Sequence, residues 1–338
     1  MAPRTAQKLV SSHFFGNEAL DKCSLLQLIR PVSEAEIVNW DAIEHLLYCV
    51  YSKYLKILPC TLPLLISESI FPSINSRRRL LEMAFESLAV PALYAINSAP
   101  LALFSTRRTS GVVLDSGEAF TAIVPIRDGQ PLRDATFLST LAGNFLTQRL
   151  RDMLATKGYY PQSIAELEAL HDIKQRMCHV SADFYTESIT FSPRACSKIY
   201  ELPDGQTVPL GEELFGCPEE LFGQTLTAAC PQFAAGLPNI LIAAIDKCAP
   251  DCRSLMSENV VLAGGSTLFP GFVERLGREV RRRSPRGRPI NIYAPEDRLN
   301  TAWRGGSALA TFANFQKFWL TPEEYREQGF SRLDKYFH

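Results

Sequence analysis

Nowhere in the 338 residues does an apolar run approach the ~20 residues needed to cross a bilayer as a helix. Charge of one sign is lacking as well. Thirty-five Lys and Arg stand against 36 Asp and Glu, a formal net charge of −1, so no bulk pull toward nucleic acid or an anionic membrane is expected. Residues Met1 to Lys8 carry no apolar core of the kind a secretory signal needs. The nine cysteines, at positions 23, 49, 60, 178, 196, 217, 230, 248 and 252, lack metal-ligand spacing: Cys248 and Cys252 lie four apart, but no matching pair or His follows. Buried free thiols in a reducing compartment, cytosol or nucleus, are the expectation. What remains is an ordinary globular composition, 46% hydrophobic and 21% charged, in a chain long enough for two or more cores.

The stretch from Gly111 to Pro125 organises the rest. Val112, Val113 and Leu114 leave no polar face and read as a buried strand. Asp115-Ser116-Gly117-Glu118 interrupts them as a turn, and Phe120 to Val124 resumes a β-rich run, so the unit is a hairpin with a polar tip. Such a tip suits phosphate and metal chemistry: Gly allows close backbone approach, the Ser hydroxyl donates to oxygens, and Asp holds a divalent cation through water. The same four residues also make a common hairpin turn with no ligand. A second Gly tip, Gly264-Gly265, follows the apolar run Val260 to Ala263.

Around these tips the pattern predicts alternating strands and helices. Leu25 to Ile29 is an edge-strand expectation, stopped by Pro31. A helix follows Asn39 as N-cap, with Ile43, Leu46, Leu47 and Val50 at helical spacing. Leu62 to Glu68 and Val90 to Ile96 are strand expectations, with an amphipathic helix over Asn75 to Leu88 and another from Pro100 to Phe104. Further helices are predicted over Leu141 to Leu154, Ile164 to Cys178, Leu241 to Cys248 and Glu274 to Arg283, and a hairpin turns at Asp204-Gly205. This order argues α/β. The basic residues Arg275, Arg278, Arg281, Arg282, Arg283, Arg286 and Arg288 read as a solvated helix end, or as a docking patch for an acidic surface.

A string of motifs then identifies a resemblance. Val38-Asn39-Trp40-Asp41, Val113-Leu114-Asp115-Ser116-Gly117, Asp172-Ile173-Lys174 and Tyr200-Glu201-Leu202-Pro203-Asp204-Gly205 come first. Leu262 to Gly271, Trp303-Arg304-Gly305-Gly306-Ser307, Phe315 to Trp319 and Glu323-Glu324-Tyr325 complete it. In this order they resemble actin and the actin-related proteins, from about Phe15 to Tyr325. The resemblance implies a two-lobed α/β fold of duplicated ribonuclease-H-like domains, with ATP and Mg²⁺ or Ca²⁺ between the lobes. On that basis residues 1–12 are expected to be a flexible N-terminus. Residues 13–105 and 300–338 would form what remains of the first lobe, its smaller subdomain at about 13–30, and residues 106–299 the second lobe.

In the family two hairpin loops clamp the phosphates. Asp115, Ser116, Gly117 and Glu118 match the second, and nothing matches the first, so the first lobe is expected to be incomplete at its N-terminus or an upstream segment to be missing. The loop that filaments use for longitudinal contact has no match either, which argues against homopolymerisation. Ser98 stands where actins carry the glutamine that orients water, Ala122 where they carry a histidine, and Ala119 where they carry a glycine. On the adenosine side Lys174, Gly264, Gly265 and Ser266 match, and Phe269 offers an aromatic edge. Gln175, His171 and Leu299 replace a glutamate, an arginine and a lysine. Asp115 is the remaining candidate for holding a cation through water.

The resemblance therefore implies no catalytic residue and no productive ATPase, with weak ATP or ADP binding or none. It further implies a partner groove built from Phe104, Leu309, Phe312 and Phe318, able to take an inserted helix. The expected role is a structural or scaffold subunit of a cytoskeletal assembly in the cytoplasm, with other actin-like or cytoskeletal proteins as partners and no membrane or direct nucleic-acid contact. The alternatives are a weak ATP-binding switch and a nuclear subunit of a chromatin complex. The loosened site is the pattern shared by the divergent actin-like proteins of the male germ line.

Overall fold

The computed structural model describes residues 14–22, 26–33, 36–192, 198–202, 205–223 and 236–328. The expected flexible N-terminus (1–12), Leu25, and Pro203-Asp204 of the predicted turn lie outside them. The chain divides into two compact units, residues 1–101 with 306–338, and residues 102–305.

In the smaller unit a strand, a helix and a second strand follow one another as Leu64–Glu68, Ile74–Glu82 and Leu93–Asn97, and the two strands pair in parallel from Leu64↔Leu93 to Glu68↔Asn97. The Ser73 side chain accepts from the Ser76 N–H and starts the helix, which continues through a wider turn over Met83–Ser87. That helix brings Leu80, Leu81, Met83 and Ala84 onto Leu93, Ala95 and Leu320, and Trp40, Ile43 and Leu47 of helix Trp40–Cys49 pack on the same cluster. Asn39 caps the latter by accepting from the Ala42 N–H, as its position before an apolar period predicts. Leu320 returns to bond Leu93 in both directions at 2.9 Å. The expected edge strand over 25–29 is a correction. Residues 26–31 form no strand, and Val32–Ser33, beyond Pro31, pairs with Glu36–Ile37 instead. Proline supplies no donor to a ladder, so pairing starts after it.

The larger unit is built on a six-stranded mixed sheet. Val260–Ala263 lies between Ile292–Tyr293 and Gly111–Ser116, parallel to both, and Gly111–Ser116 turns back antiparallel into Thr121–Arg127. The predicted hairpin is therefore central, and both faces of its strands are buried. Val112, Leu114 and Ile123 join one core with Leu146, Leu150, Leu154, Leu170, Ile173, Leu241, Phe272 and Leu276. Val113, Ala122, Val124 and Ile126 face the other way and are also buried. Each fully buried Leu or Ile contributes about 1.5–3 kcal/mol, which makes this sheet a rigid platform for its tips.

The long helices of this unit are Gly143–Ala155, Ile164–Met177, Gly236–Lys247 and Phe272–Arg283. Ile164–Met177 starts in a capping box in which the Ser163 hydroxyl accepts from the Glu166 N–H and the Glu166 carboxylate accepts from the Ser163 N–H. The strands Lys198–Glu201 and Thr207–Leu210 form the predicted downstream hairpin, with Gly205 at φ +83. Cys49, Cys178, Cys217, Cys248 and Cys252 are buried free thiols, and Cys60 is free but exposed.

Candidate functional site

The two Gly-bearing tips meet within the larger unit because their strands are parallel neighbours, with Asp115 opposite Ala263. Gly264, at φ +84 and ψ 151, turns the chain sharply as it leaves the sheet. A Cβ placed there would lie 2.3 Å from the Ser116 carbonyl oxygen and 2.6 Å from Asp115 Oδ1, so glycine is what allows the second tip to close on the first. Ser266 completes the junction by donating its hydroxyl to the Gly117 carbonyl at 2.9 Å. Behind the turn, Arg298 donates to Thr267 Oγ1 at 3.1 Å and to the Thr267 carbonyl at 3.0 Å, and its own carbonyl accepts from the Gly264 N–H. Arg298 carries no motif in the sequence and was not among the predicted site residues.

The hydroxyl of Ser116 is fully buried and engaged internally. Thr121 Oγ1 gives its single proton to the Leu141 carbonyl at 2.7 Å, so in the 2.7 Å contact between Ser116 and Thr121 the donor is Ser116. Lys174 is equally committed. Its ammonium donates to the Gly143 carbonyl at 2.8 Å, to Thr147 Oγ1 at 2.7 Å and to Glu118 Oε2 at 3.0 Å. Gly143, Thr147 and Thr121 were also missed in the sequence. A Gly opening a helix and a Thr one turn later are too common to signal that they receive a distant lysine.

Asp115 stands apart. Its carboxylate has no hydrogen-bond or ion-pair partner among the described residues, and burial pushes it from 3.8 up to about 6. The register explains why: Asp115 lies opposite Ala122, whose methyl group offers no donor. A raised carboxyl means that the folded state keeps a proton which the unfolded state loses between about pH 4 and pH 6. Stability therefore falls as pH rises through that window, with the deficit complete above it and amounting to about 3 kcal/mol at most. Asp115→Asn should melt above the parent at about pH 8, and the two should converge near about pH 4. Parallel melting curves at every pH would refute the assignment.

The remaining predicted residues are dispersed. Gln175 is exposed, and Leu299, 67% exposed, lies over Gly265, its Cδ1 3.5 Å from a Cβ built there. Phe269 is only 7% exposed and belongs to the core cluster, so the expected free aromatic edge is largely packed away. Tested against a phosphate and its cation, the tip supplies the unpartnered carboxylate of Asp115 and the N–H groups of Glu118 and Ala119, which have no acceptor among the described residues. The hydroxyls of Ser116 and Ser266 point inward, and the Lys174 ammonium is saturated by Gly143, Thr147 and Glu118. This donor set does not fit a clamped triphosphate.

One further expectation changes. Arg275 is not part of a solvated basic face: it is 2% exposed and bonds Glu219 and Glu279. Arg283 pairs with Glu279 and Arg288 with Asp246, and Arg278 lies near the Asp183 carboxylate, which leaves Arg281, Arg282 and Arg286 exposed without an ion pair among the described residues. Of the predicted groove residues, Phe312 and Phe318 of the smaller unit are 64% and 48% exposed, and Leu309 is half-buried. Phe104 is half-buried in the larger unit, its ring against Gly129.

Comparison with known proteins agrees with the motif string. The family described as Actin matches residues 1–338. The chain is 37% identical over 328 residues to Actin-like protein 9 of Bos taurus, an alignment that covers 97% of this chain and 77% of that protein. Among the described residues no helix is long and apolar enough to cross a membrane. With a mixed sheet carrying both family tips and a family match along its length, this chain belongs to the actin family.

Proposed function

We propose that this chain is a non-catalytic structural subunit of a cytoskeletal assembly, an actin-family protein that docks partners without cycling through ATP. The observation that supports this is the commitment of the side-chain donors at the hairpin tip, where Ser116, Ser266 and Lys174 all donate to groups of the protein itself. Phosphoryl transfer depends on positioning and charge stabilisation, and donors so committed supply neither to a ligand. Exposed Phe312 and Phe318 are the aromatic anchors that the docking role requires. The partners of this reading are other actin-like or cytoskeletal proteins, the compartment is the cytoplasm, and the male germ line is the tissue to examine first.

One observation favours a second reading. The unpartnered carboxylate of Asp115 is a place where a cation would relieve a buried charge, which is what a weak Mg²⁺-ATP switch needs. The chromatin reading loses support, because the basic run on which it rested is interrupted by the internal pairs of Arg275 and Arg283.

A thermal melt with and without millimolar Mg²⁺-ATP, paired with a phosphate-release assay, separates the first two. The structural reading expects no release above the blank and no shift in Tm. A Tm rise that Asp115→Ala abolishes would put the switch first, since a ligand of the folded state stabilises by RT ln(1 + [L]/Kd).

A further inference from the structure

The ammonium of Lys174 is 4% exposed and has three protons for three acceptors. Two of these, the Gly143 carbonyl and the Thr147 hydroxyl, are neutral and belong to helix Gly143–Ala155. The third, Glu118, supplies the negative charge, and it does so from the solvent side with its side chain 48% exposed. Its other oxygen, Oε1, lies 3.5 Å from His171 Nδ1. The carboxylate fits because residue 143 is glycine: a Cβ there would stand 2.3 Å from Glu118 Oε2.

The Glu118 carboxylate is not tied to the helix backbone. The N–H groups of Gly143 and Asn144 donate to the carbonyl oxygens of Gly117 and Glu118. The hairpin main chain thus caps the helix, while the Glu118 side chain is held by the charge of Lys174 and the neighbouring imidazole. It can rotate away without unravelling either element.

We infer that Glu118 is a resident anion: its carboxylate fills the anion position that buried Lys174 presents at the hairpin tip and closes that position to phosphate-class oxyanions. A buried ammonium with two neutral acceptors is an uncompensated charge, and a small oxyanion returns both the charge and an acceptor oxygen. Removing the charge of Glu118 should therefore create a binding site for inorganic phosphate or pyrophosphate that the parent chain lacks. This goes beyond the structural-subunit reading and is separable from it, because the probe contains neither nucleotide nor divalent cation.

The test is a set of thermal melts of the full chain in chelator, with sodium pyrophosphate against sodium chloride at matched ionic strength. The parent should not shift. Glu118→Ala and Glu118→Gln should each gain about 3 °C or more at millimolar pyrophosphate, and adding Lys174→Met should abolish the gain. An equal shift in the parent would show that Glu118 excludes nothing. No shift in either single variant would show that no anion position lies beneath it. If Glu118→Ala is insoluble, the isosteric Glu118→Gln decides. If both are insoluble, their recovery on dilution from urea is the readout: recovery that depends on pyrophosphate supports the inference, and failure to recover overturns it.

Discussion

Arg275→Met should destabilise the larger unit by about 3–5 kcal/mol, a large fraction of the stability of an ordinary domain. The guanidinium is 2% exposed and bonds Glu219 through two nitrogens, at 2.7 and 3.0 Å. It also donates to Glu279 Oε1 and to the Ser181 carbonyl, both at 2.8 Å, and lies 5.0 Å from the Phe222 ring. Glu219 is fully buried, and burial pushes its carboxyl up even with Arg275 beside it. Burial also works to raise Glu279, but hydrogen bonds from Arg283 and Arg275 prevail and hold it below its ordinary value. Without the guanidinium, buried Glu219 loses its cation and faces Glu279, which keeps Arg283, so Glu219 must take up a proton that the unfolded chain does not hold. The variant should therefore gain stability relative to the parent as pH falls from about 8 toward 5. Urea denaturation at both ends of that range measures it. The double variant Arg275→Met with Glu219→Leu should recover much of the loss, because an apolar replacement leaves less charge stranded. A single variant as stable as the parent would show that the network carries no structural weight.

Gly264→Ala should cost about 3 kcal/mol or more, and Gly265→Ala less than about 1 kcal/mol, although the two are neighbours in one motif. Gly264 occupies a backbone region nearly closed to other residues, at φ +84 and ψ 151. Its added Cβ would meet Ser116 O at 2.3 Å and Ser116 C at 2.5 Å, atoms of a central strand that is buried on both faces and has no room to move. Gly265 would meet only Leu299 Cδ1 at 3.5 Å, an ordinary contact with an exposed side chain. Melting temperatures of the two variants give the contrast directly. Equal effects would mean that the two tips do not close on each other as described.

Wherever a local pattern was complete within a few residues, the sequence was readable. The Gly111–Pro125 hairpin, the Asn39 cap, and helices Gly143–Ala155, Ile164–Met177 and Phe272–Arg283 all follow from apolar period, cap and turn chemistry, each of which acts over a span of four or fewer residues. The strand Val32–Ser33 was missed because apolar Leu25 to Ile29 carries the same short-range signal, with nothing local to say which run finds a partner.

The candidate site shows the limit of that reach. Asp115, Ser116 and Gly117 were legible from type and position as residues able to meet a phosphate and its cation, and the resemblance to the family added Lys174, Gly264 and Ser266 on the adenosine side. Whether their donors point at a ligand or into the fold depends on atoms far away in the chain. Lys174 ends on Gly143 and Thr147, Ser266 on Gly117, and Ser116 reaches Leu141 through Thr121. Arg275 likewise looked like one more cation at a helix end until Glu219 met it inside the core. Short-range sterics and periodicity determined the elements, since each is settled among near neighbours, and the order of the motifs along the chain carried the resemblance to the family. The direction of every polar side chain at the tip was decided only by tertiary structure, because a buried donor takes whichever acceptor the packed core brings within about 3 Å.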